Sequence, residues 1–415
     1  MTIFSIQDYG GIIPHVEHLA AGLREIGHTV DFVMLMHQPG RPKATRQPDE
    51  DGWFKLGTGY PFHPSKGWSE LPRFGWQSAD ERRRFKDYCS NFDGVIWHIP
   101  VPTMNNATAG HDEWQDLYPS RIPNVAVIHD GNLPKLYPHI LTVRDKFKRL
   151  VCVHDSAYNS SAGTGMTRER IYNPFDVAGW LDYAPKGFDG RRGVVAVQVF
   201  KAWKRVDSLI RAIPLMKNAG SVIVGGGGIE QRYMVSPDKC KPAYFNADGS
   251  RIWDTAVSAG MKYVGFIDND AVYEHLLNAR VQIDPSWSFR YAKFGSHFNR
   301  TTIEAMLAGT LPMATDLGMK DSSLFRADEN FVEIKAGCAP AEFAERVDMA
   351  IRDRRQWERI TKWNRVVLKE NFDRRVVAAK FVNALVEDAP FHGPATPELI
   401  GASRDNMEFF TRGAA

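Results

Sequence analysis

The chain has 415 residues, of which 43% are hydrophobic and 24% charged, a length and balance that predict two globular domains. Lys and Arg number 52 against 49 Asp and Glu, so the formal net charge of +3 excludes a generally polycationic protein but not a local basic surface. The four cysteines lie far apart without metal-ligand spacing, and no apolar run is long enough to span a membrane, so we expect a cytoplasmic protein.

Short apolar strands alternate with amphipathic helices along most of the chain. This pattern predicts an α/β protein with two doubly wound, Rossmann-like domains. In the first half we expect a helix at 14–27 and strands at 1–6, 29–35, 94–99, 124–128 and 150–153. In the second half we expect strands at 194–199, 221–224, 262–266, 281–284, 311–315 and 331–334.

Turn residues mark the expected domain boundary. The segments NPFD and APKGFDGRRG, which precede the second strand series, predict a linker over 176–192 between a first domain at 1–175 and a second at 193–372. After the second domain we expect a helix at 373–390 that packs back toward the first domain, and then a loose tail at 391–415.

A pair of glycines follows the first strand and precedes the first helix. Gly10 and Gly11 would let a phosphate approach backbone N–H groups at the positive end of that helix, although a simple tight turn explains the pair equally well. The full G-x-G-x-x-G fingerprint is absent, which disfavours a dinucleotide-dependent dehydrogenase.

A helix that carries Glu304 and closes at Gly309 leads into a strand containing Pro312. This E-A-x-x-x-G-x-x-P pattern, after two α/β domains, resembles the retaining glycosyltransferases of the two-domain GT-B type, which bind a nucleotide sugar in an interdomain cleft. The resemblance implies that Glu304 accepts hydrogen bonds from the donor ribose, a task suited to a carboxylate. An amphipathic helix with one exposed acid remains the simpler alternative.

The start of that helix, which the resemblance places at the donor diphosphate, contributes Arg300, Thr301 and Thr302. One departure from the family is Ser296, which stands where the commoner E-x7-E form has its first acid. Arg300 is therefore expected to take an altered role.

Three further segments resemble donor-binding motifs of the same family. Lys204 matches its pyrophosphate lysine, with Lys201 as a second positive charge, and the segment 191–217 holds seven Lys and Arg against one Asp. The resemblance also places a glycine-rich turn, Gly225 and Gly226, and a base-binding stretch, Val264 and Phe266, beside the donor. We expect a UDP-sugar co-substrate and no required metal, and we interpret Asp268-Asn269-Asp270 as a helix cap with Asp270 just before the helix.

His129 and Asp130 follow a predicted strand of the first domain, at the edge where open α/β sheets bind ligands. Such a pair is often structural. Facing a sugar nucleotide, Asp130 could accept the acceptor proton or stabilise positive charge on the sugar, and His129 could hydrogen-bond the sugar.

The order of these motifs is similar to that of the DNA α-glucosyltransferases of T-even phages, which modify 5-hydroxymethylcytosine. The resemblance implies duplex DNA with hydroxymethylated pyrimidines as the partner. The segment 38–86 fits it with ten Lys and Arg against six acids, and with seven aromatic residues interleaved from Trp53 to Trp76, because basic groups suit phosphates and aromatic rings suit an unstacked base. The predicted DNA-contacting residues are Trp53, Arg73, Trp76 and His15.

Two alternatives remain open at this point. One is a bacterial glycan or lipopolysaccharide glycosyltransferase of the same fold, and the other is a catalytically silent nucleotide- or DNA-binding module. The sugar, which is glucose by the family default, and the modified base stay undetermined.

Overall fold

A computed structural model describes most of the chain. The described residues are 2–5, 12–36, 54–55, 61–62, 73–75, 78–98, 116–129, 131, 133, 137–182, 186–267, 269–286, 299–315, 323–388 and 395–397. The chain forms two compact units: unit 1 comprises Met1–Asp176 with Asn371–Ala415, and unit 2 comprises Val177–Glu370. Most of the segment 176–192, which we expected to be a linker, therefore belongs to unit 2.

The strands alternate with helices in both units. In chain order the strands are β1 (Thr2–Ser5), β2 (Phe32–Met36), β3 (Phe54–Lys55), β4 (Pro61–Phe62), β5 (Arg73–Gly75), β6 (Val95–Trp97), β7 (Asn124–Ile128), β8 (Arg149–Cys152), β9 (Arg168–Arg170), β10 (Val194–Val197), β11 (Val222–Gly225), β12 (Met261–Gly265), β13 (Val281–Asp284), β14 (Leu311–Thr315) and β15 (Val332–Ile334). The helices are α1 (Ile12–Glu25), α2 (Ala79–Cys89), α3 (Asp155–Ser160), α4 (Val177–Asp182), α5 (Val206–Ala212), α6 (Ile229–Val235), α7 (Ile252–Ser258), α8 (Asn269–Asn278), α9 (Arg300–Leu307), α10 (Pro340–Arg352), α11 (Arg354–Asn371) and α12 (Arg374–Val386).

Unit 1 contains a seven-stranded sheet in the order β5-β2-β1-β6-β7-β8-β9, in which every neighbouring pair is parallel. Its interior strand β7 reads NVAVI and is buried along its whole length, as expected for a strand with helices on both faces. All five strands predicted in this half are present. The two edge strands β5 and β9 are additional, and their short, Arg-containing sequences gave no apolar pattern to find.

The C-terminal helix α12 belongs to unit 1 and packs against α1. Leu19 and Leu23 of α1 share one buried cluster with Val377 and Phe381 of α12. The helices approach so closely that a side chain at Gly22 would collide with the backbone carbonyl of Arg374. The apolar spacing of α1 was thus set by two neighbours, the sheet and a helix from the far end of the chain.

Unit 2 contains a six-stranded parallel sheet in the order β12-β11-β10-β13-β14-β15. Helices α5, α7 and α10 pack with this sheet in one buried core. Because all six strands run the same way, the loops after β10, β11, β12 and β13 meet at one edge. The fold class predicted from the sequence is confirmed: two parallel α/β units of the doubly wound kind.

No helix of the described ranges is both long and apolar enough to cross a membrane.

Candidate functional site

A buried carboxylate organises the edge of unit 2. Asp284, the last residue of β13, is 5% exposed and accepts hydrogen bonds from the hydroxyl groups of Ser286 at 2.5 Å and Thr302 at 3.0 Å. It also accepts one from the amide nitrogen of Asn299, and the amide oxygen of Asn299 accepts from the ammonium group of Lys204. A continuous polar chain therefore links the end of β13 to the lysine that follows β10.

Lys204, which the sequence predicts to bind the donor, lies at this edge, where its ammonium group donates to Asn299. Burial lowers the pKa of its ammonium group, the negative charge of Asp284 opposes that change, and nearby Lys201 adds to the lowering. The Lys201 ammonium lies 4.9 Å from the centre of the Trp203 ring, a cation–π distance. Two positive charges thus lie close together after β10, an arrangement that suits an anion.

Glu304 lies on α9 near this network. The side chain is largely buried, at 8% exposure, and one carboxylate oxygen accepts a hydrogen bond of 2.9 Å from the guanidinium Nε of Arg300. Arg300 therefore holds Glu304 from one helical turn away. A carboxylate has about four lone-pair positions, so this ion pair leaves capacity for a diol.

The structure corrects the prediction for Thr302, which we expected to contact the donor directly. Its side chain is fully buried, its hydroxyl donates to Asp284, and its backbone N–H donates to the carbonyl of Asn299. Thr302 thus acts through Asp284. Thr301, beside it at the start of α9, is partly exposed.

The glycine-rich turn follows β11, as predicted, but the structure gives another reason for its glycines. Gly226 has a φ of +103°, and a side chain there would collide with the carbonyl oxygen of Gln198. Its carbonyl also accepts a 2.7 Å hydrogen bond from the Tyr263 hydroxyl. The turn, which starts at Gly225, is thus required by close backbone packing inside unit 2, whatever lies outside it.

The stretch after β12 presents an aromatic ring to solvent. Phe266 is 53% exposed, and its ring lies so close to Gly227 that a side chain at that glycine would collide with it. Val264, one residue before the end of β12, is partly buried. An exposed flat ring beside a glycine turn offers a stacking surface for a planar ligand.

Sequence reasoning missed three polar residues of this edge: Asp284, Asn299 and Gln198. Asp284 could have been found, because it is the one acid in the otherwise buried strand VQID, and buried acids are rare unless they have partners. Gln198 also lies at the edge: its amide oxygen is 3.3 Å from the hydroxyl oxygen of Ser286, whose single proton is donated to Asp284, and its buried amide nitrogen has no hydrogen-bond partner among the described residues. Its placement depends on tertiary contacts that the sequence does not show.

In unit 1, His129 lies at the carboxyl end of β7, as predicted. Its Nε2 is 3.3 Å from Nδ1 of His98, and its backbone carbonyl is 2.9 Å from Nε2 of His154. Nδ1 of His154 accepts from the backbone N–H of Ala157, so its Nε2 carries the proton and donates to His129. The structure therefore surrounds His129 with histidines from the next strands along the sheet.

His15 corrects another expectation. We grouped it with DNA-contacting residues, but its ring is 1% exposed, and its Nδ1 lies 2.7 Å from the amide oxygen of Asn173. A ring enclosed in this way offers no surface to a duplex.

His15, His98 and His129 form a compact cluster whose ligand atoms lie within 4.8 Å of one another, so these rings could hold a metal ion. Burial, with a smaller contribution from His15, lowers the pKa of His98 well below its usual value, which keeps that ring neutral. Asp268 is not described, and helix α8 already begins at Asn269. Asp270 therefore lies in the first turn and is not the cap that we predicted.

Several predicted residues lie outside the described part of the structure: Gly10, Gly11, Trp53, Trp76 and Asp130. Arg73 lies in β5, but its side chain is not described. The basic residues of α2 are paired with acids. Asp116 lies 3.3 Å from Arg82 and 2.7 Å from Lys86, and Arg83 and Arg84 pair within their own helix. Four of the ten basic residues in the segment 38–86 thus have an acidic partner.

The fold and the residues at the edge of unit 2 can now be compared with those of known protein families. Residues 184–366, which contain Lys204, Asp284 and Glu304, match the family model described as glycosyl transferases group 1. The fold is that of GT-B enzymes, and the chain is a glycosyltransferase. No curated protein matches the sequence significantly.

Solved structures show the same fold at low sequence identity. An α-glucosyltransferase in complex with UDP-glucose and DNA containing an abasic site has a TM-score of 0.64 and 13% identity, over 93% of this chain and 99% of that one. HepE of Anabaena in complex with UDP has a TM-score of 0.62 and 15% identity, over 92% and 99%. The lipopolysaccharide outer core galactosyltransferase WaaB has a TM-score of 0.57 and 13% identity, over 92% and 99%.

Proposed function

We propose that the protein transfers a sugar, glucose by default, from UDP-sugar to the hydroxymethyl group of a modified pyrimidine in duplex DNA, with retention. The acceptor base is 5-hydroxymethylcytosine or 5-hydroxymethyluracil. The reaction takes place in the cytoplasm of a phage-infected cell. The donor half of this proposal is carried by one observation: a partly buried lysine and a buried glutamate share the carboxyl edge of one parallel sheet.

Each side chain of the donor site is assigned to one part of the nucleotide. We assign Lys204 and Lys201 to the diphosphate, Glu304 to the ribose hydroxyls and Phe266 to the base, with the glycine turn at Gly226 alongside. A partly buried ammonium group gains most when negative charge grows on the leaving phosphate, because its interaction strengthens toward the transition state. The solved HepE structure, which holds UDP on a similar fold, supports this choice of donor.

The reaction breaks the bond between the anomeric carbon and the phosphate oxygen and forms one from that carbon to the hydroxymethyl oxygen on the same face. We assign Asp130 to the acceptor side, where it either takes the hydroxyl proton or stabilises positive charge on the sugar. His129 hydrogen-bonds the transferred sugar. The contact of His129 with His98 at 3.3 Å supports an ordered ring at this position.

Two observations support DNA as the acceptor. The order of motifs resembles that of the phage DNA glucosyltransferases, and the α-glucosyltransferase solved with DNA has a similar fold over nearly its whole length. The chain from Trp53 to Trp76 adds seven aromatic residues. Unstacking a base costs a few kcal/mol, which two or three stacking contacts of about 1–3 kcal/mol each would return.

The test supplies labelled UDP-glucose with three acceptors: hydroxymethylated duplex DNA, plain duplex DNA and a lipopolysaccharide core oligosaccharide. Label in modified DNA alone supports the proposal, and label only in the oligosaccharide supports glycan transfer. The similar fold of WaaB makes glycan transfer the second candidate. DNA binding without transfer would indicate a silent binding module.

The variant Asp130→Ala tests the catalytic assignment separately from the acceptor. We expect transfer to be lost and UDP-glucose affinity to be nearly unchanged, measured by calorimetry. Weakened donor binding with normal residual turnover would contradict the assignment.

A further inference from the structure

We propose that Asp284 and Asn299 are positioning residues that hold the ammonium group of Lys204 toward the donor diphosphate. The inference rests on the proposed donor site and names two residues that the sequence motifs did not include.

The chemistry of the chain fixes its direction. A carboxylate can only accept hydrogen bonds, and an ammonium group can only donate them. Because Asn299 lies between Asp284 and Lys204, its NH₂ group must face Asp284 and its oxygen must face Lys204, which is the arrangement observed. The amide therefore couples the orientation of the lysine to that of the carboxylate.

The carboxylate itself is held rigidly. The backbone N–H of Ser286 at 3.1 Å, its hydroxyl at 2.5 Å and the Thr302 hydroxyl at 3.0 Å all donate to Asp284, in addition to Asn299. A buried charge with this many donors is stable in place, whereas one missing a partner is costly.

The bridging amide also preserves the charge of the lysine for another anion. In a direct ion pair, the Asp284 carboxylate would contact the ammonium group of Lys204 and compete with a phosphate for it. The observed bond to Asn299 uses one of the three N–H donors of Lys204, so among the described residues two are left for a diphosphate.

The same carboxylate also fixes the second donor group. Thr302 belongs to the first turn of α9 and Glu304 to the next, and Asn299 immediately precedes this helix. The bonds of Thr302 and Asn299 to Asp284 therefore set the start of the helix that carries Glu304. One buried acid thus aligns both the phosphate-binding lysine and the ribose-binding glutamate.

Among the described residues, the charged groups that act on Lys204 are Asp284, which raises the pKa of its ammonium group, and Lys201, which lowers it. UDP affinity should fall as the pH rises through this pKa, because Lys204 then becomes neutral. Removing the charge of Asp284 lowers the pKa further, so the fall should start at a lower pH.

The experiment measures UDP affinity by calorimetry from pH 6.5 to 10 for the wild type, Asp284→Asn and Asp207→Asn. Asp207 forms an ion pair with Arg205 close to the same lysine and serves as the control. We expect Asp284→Asn to weaken UDP binding about tenfold or more at pH 8 and to move the alkaline fall to lower pH, with Asp207→Asn unchanged.

Equal affinity and the same pH profile for Asp284→Asn and the wild type would overturn the inference. If the wild type itself fails to bind UDP, the proposed donor site is wrong instead. Should Asp284→Asn unfold, Asn299→Ala replaces it: this variant keeps the buried acid but breaks the bridge, and unchanged UDP affinity in it would overturn the inference equally.

Discussion

Replacing Glu304 with Gln tests the donor site with a change of one charge at constant shape. The Glu304 carboxylate is 8% exposed and 2.9 Å from the Nε of Arg300, so its hydrogen bonds are made away from bulk water. A hydrogen bond to a charged group contributes about 1.5–3 kcal/mol. Losing one such bond to the ribose should therefore weaken UDP binding by about 10- to 150-fold.

The assay compares UDP with 2′,3′-dideoxy-UDP by calorimetry on the wild type and Glu304→Gln. We expect the variant to lose affinity for UDP, whereas the dideoxy compound, which has no ribose diol, should bind both proteins alike. Thermal unfolding of both proteins shows whether the fold is retained.

A matched control is Glu358→Gln on α11. Glu358 also pairs with an arginine one turn earlier, Arg354 at 3.9 Å, but both side chains are about half exposed. We expect no change in UDP affinity there. Unchanged affinity in Glu304→Gln, or an equal loss for the dideoxy compound, would refute the ribose assignment.

Three further predictions follow from packing, titration and metal chemistry. Gly22→Val should destabilise unit 1 by about 1–3 kcal/mol in urea unfolding, because the valine side chain would force α12 away from α1. The control Ala21→Val should lower the free energy of unfolding by much less. Equal losses in the two variants would contradict the packing argument. Because the pKa of His98 is depressed in the folded protein, below about pH 6.5 the unfolded chain binds a proton at His98 that the folded chain does not bind, so the free energy of unfolding falls with decreasing pH. His98→Gln should reduce the slope of that fall by up to about 1.4 kcal/mol per pH unit. An unchanged slope would show that His98 does not cause it. Chelation with EDTA should leave sugar transfer unchanged, because lysines supply the positive charge at the donor. If EDTA abolishes transfer and Zn²⁺ or Mn²⁺ restores it, the protein binds a metal ion. The cluster of His15, His98 and His129 is then the candidate site.

The fold was largely readable from the sequence because apolar runs mark buried parallel strands. The run NVAVI of β7 is an example, since both faces of the strand are covered. The edge strand β9, which reads RER, gave no such signal, because an edge strand needs little apolar character. The pairing of α12 with α1 depends on a contact between opposite ends of the chain, although a helix returning toward the first domain was expected.

The site was readable only in part. Motif spacing pointed to Lys204 and Glu304, whereas Asp284 and Asn299 take their roles from contacts made by the folded sheet edge. The burial of His15 likewise could not be read from a residue type that is often exposed. Composition overstated the basic character of the segment 38–86, because Arg82 and Lys86 pair with Asp116, which lies outside that segment.

The most direct test of the central claim is mass spectrometry of the nucleosides released from DNA after incubation with UDP-glucose. Duplex DNA containing 5-hydroxymethylcytosine or 5-hydroxymethyluracil is the substrate, and the Asp130→Ala protein is the control. We predict a new pyrimidine nucleoside heavier by one hexose, with an α-linked sugar, that is absent with the control. Unmodified nucleosides from both DNAs, together with a hexose added to the core oligosaccharide under the same conditions, would contradict the proposal.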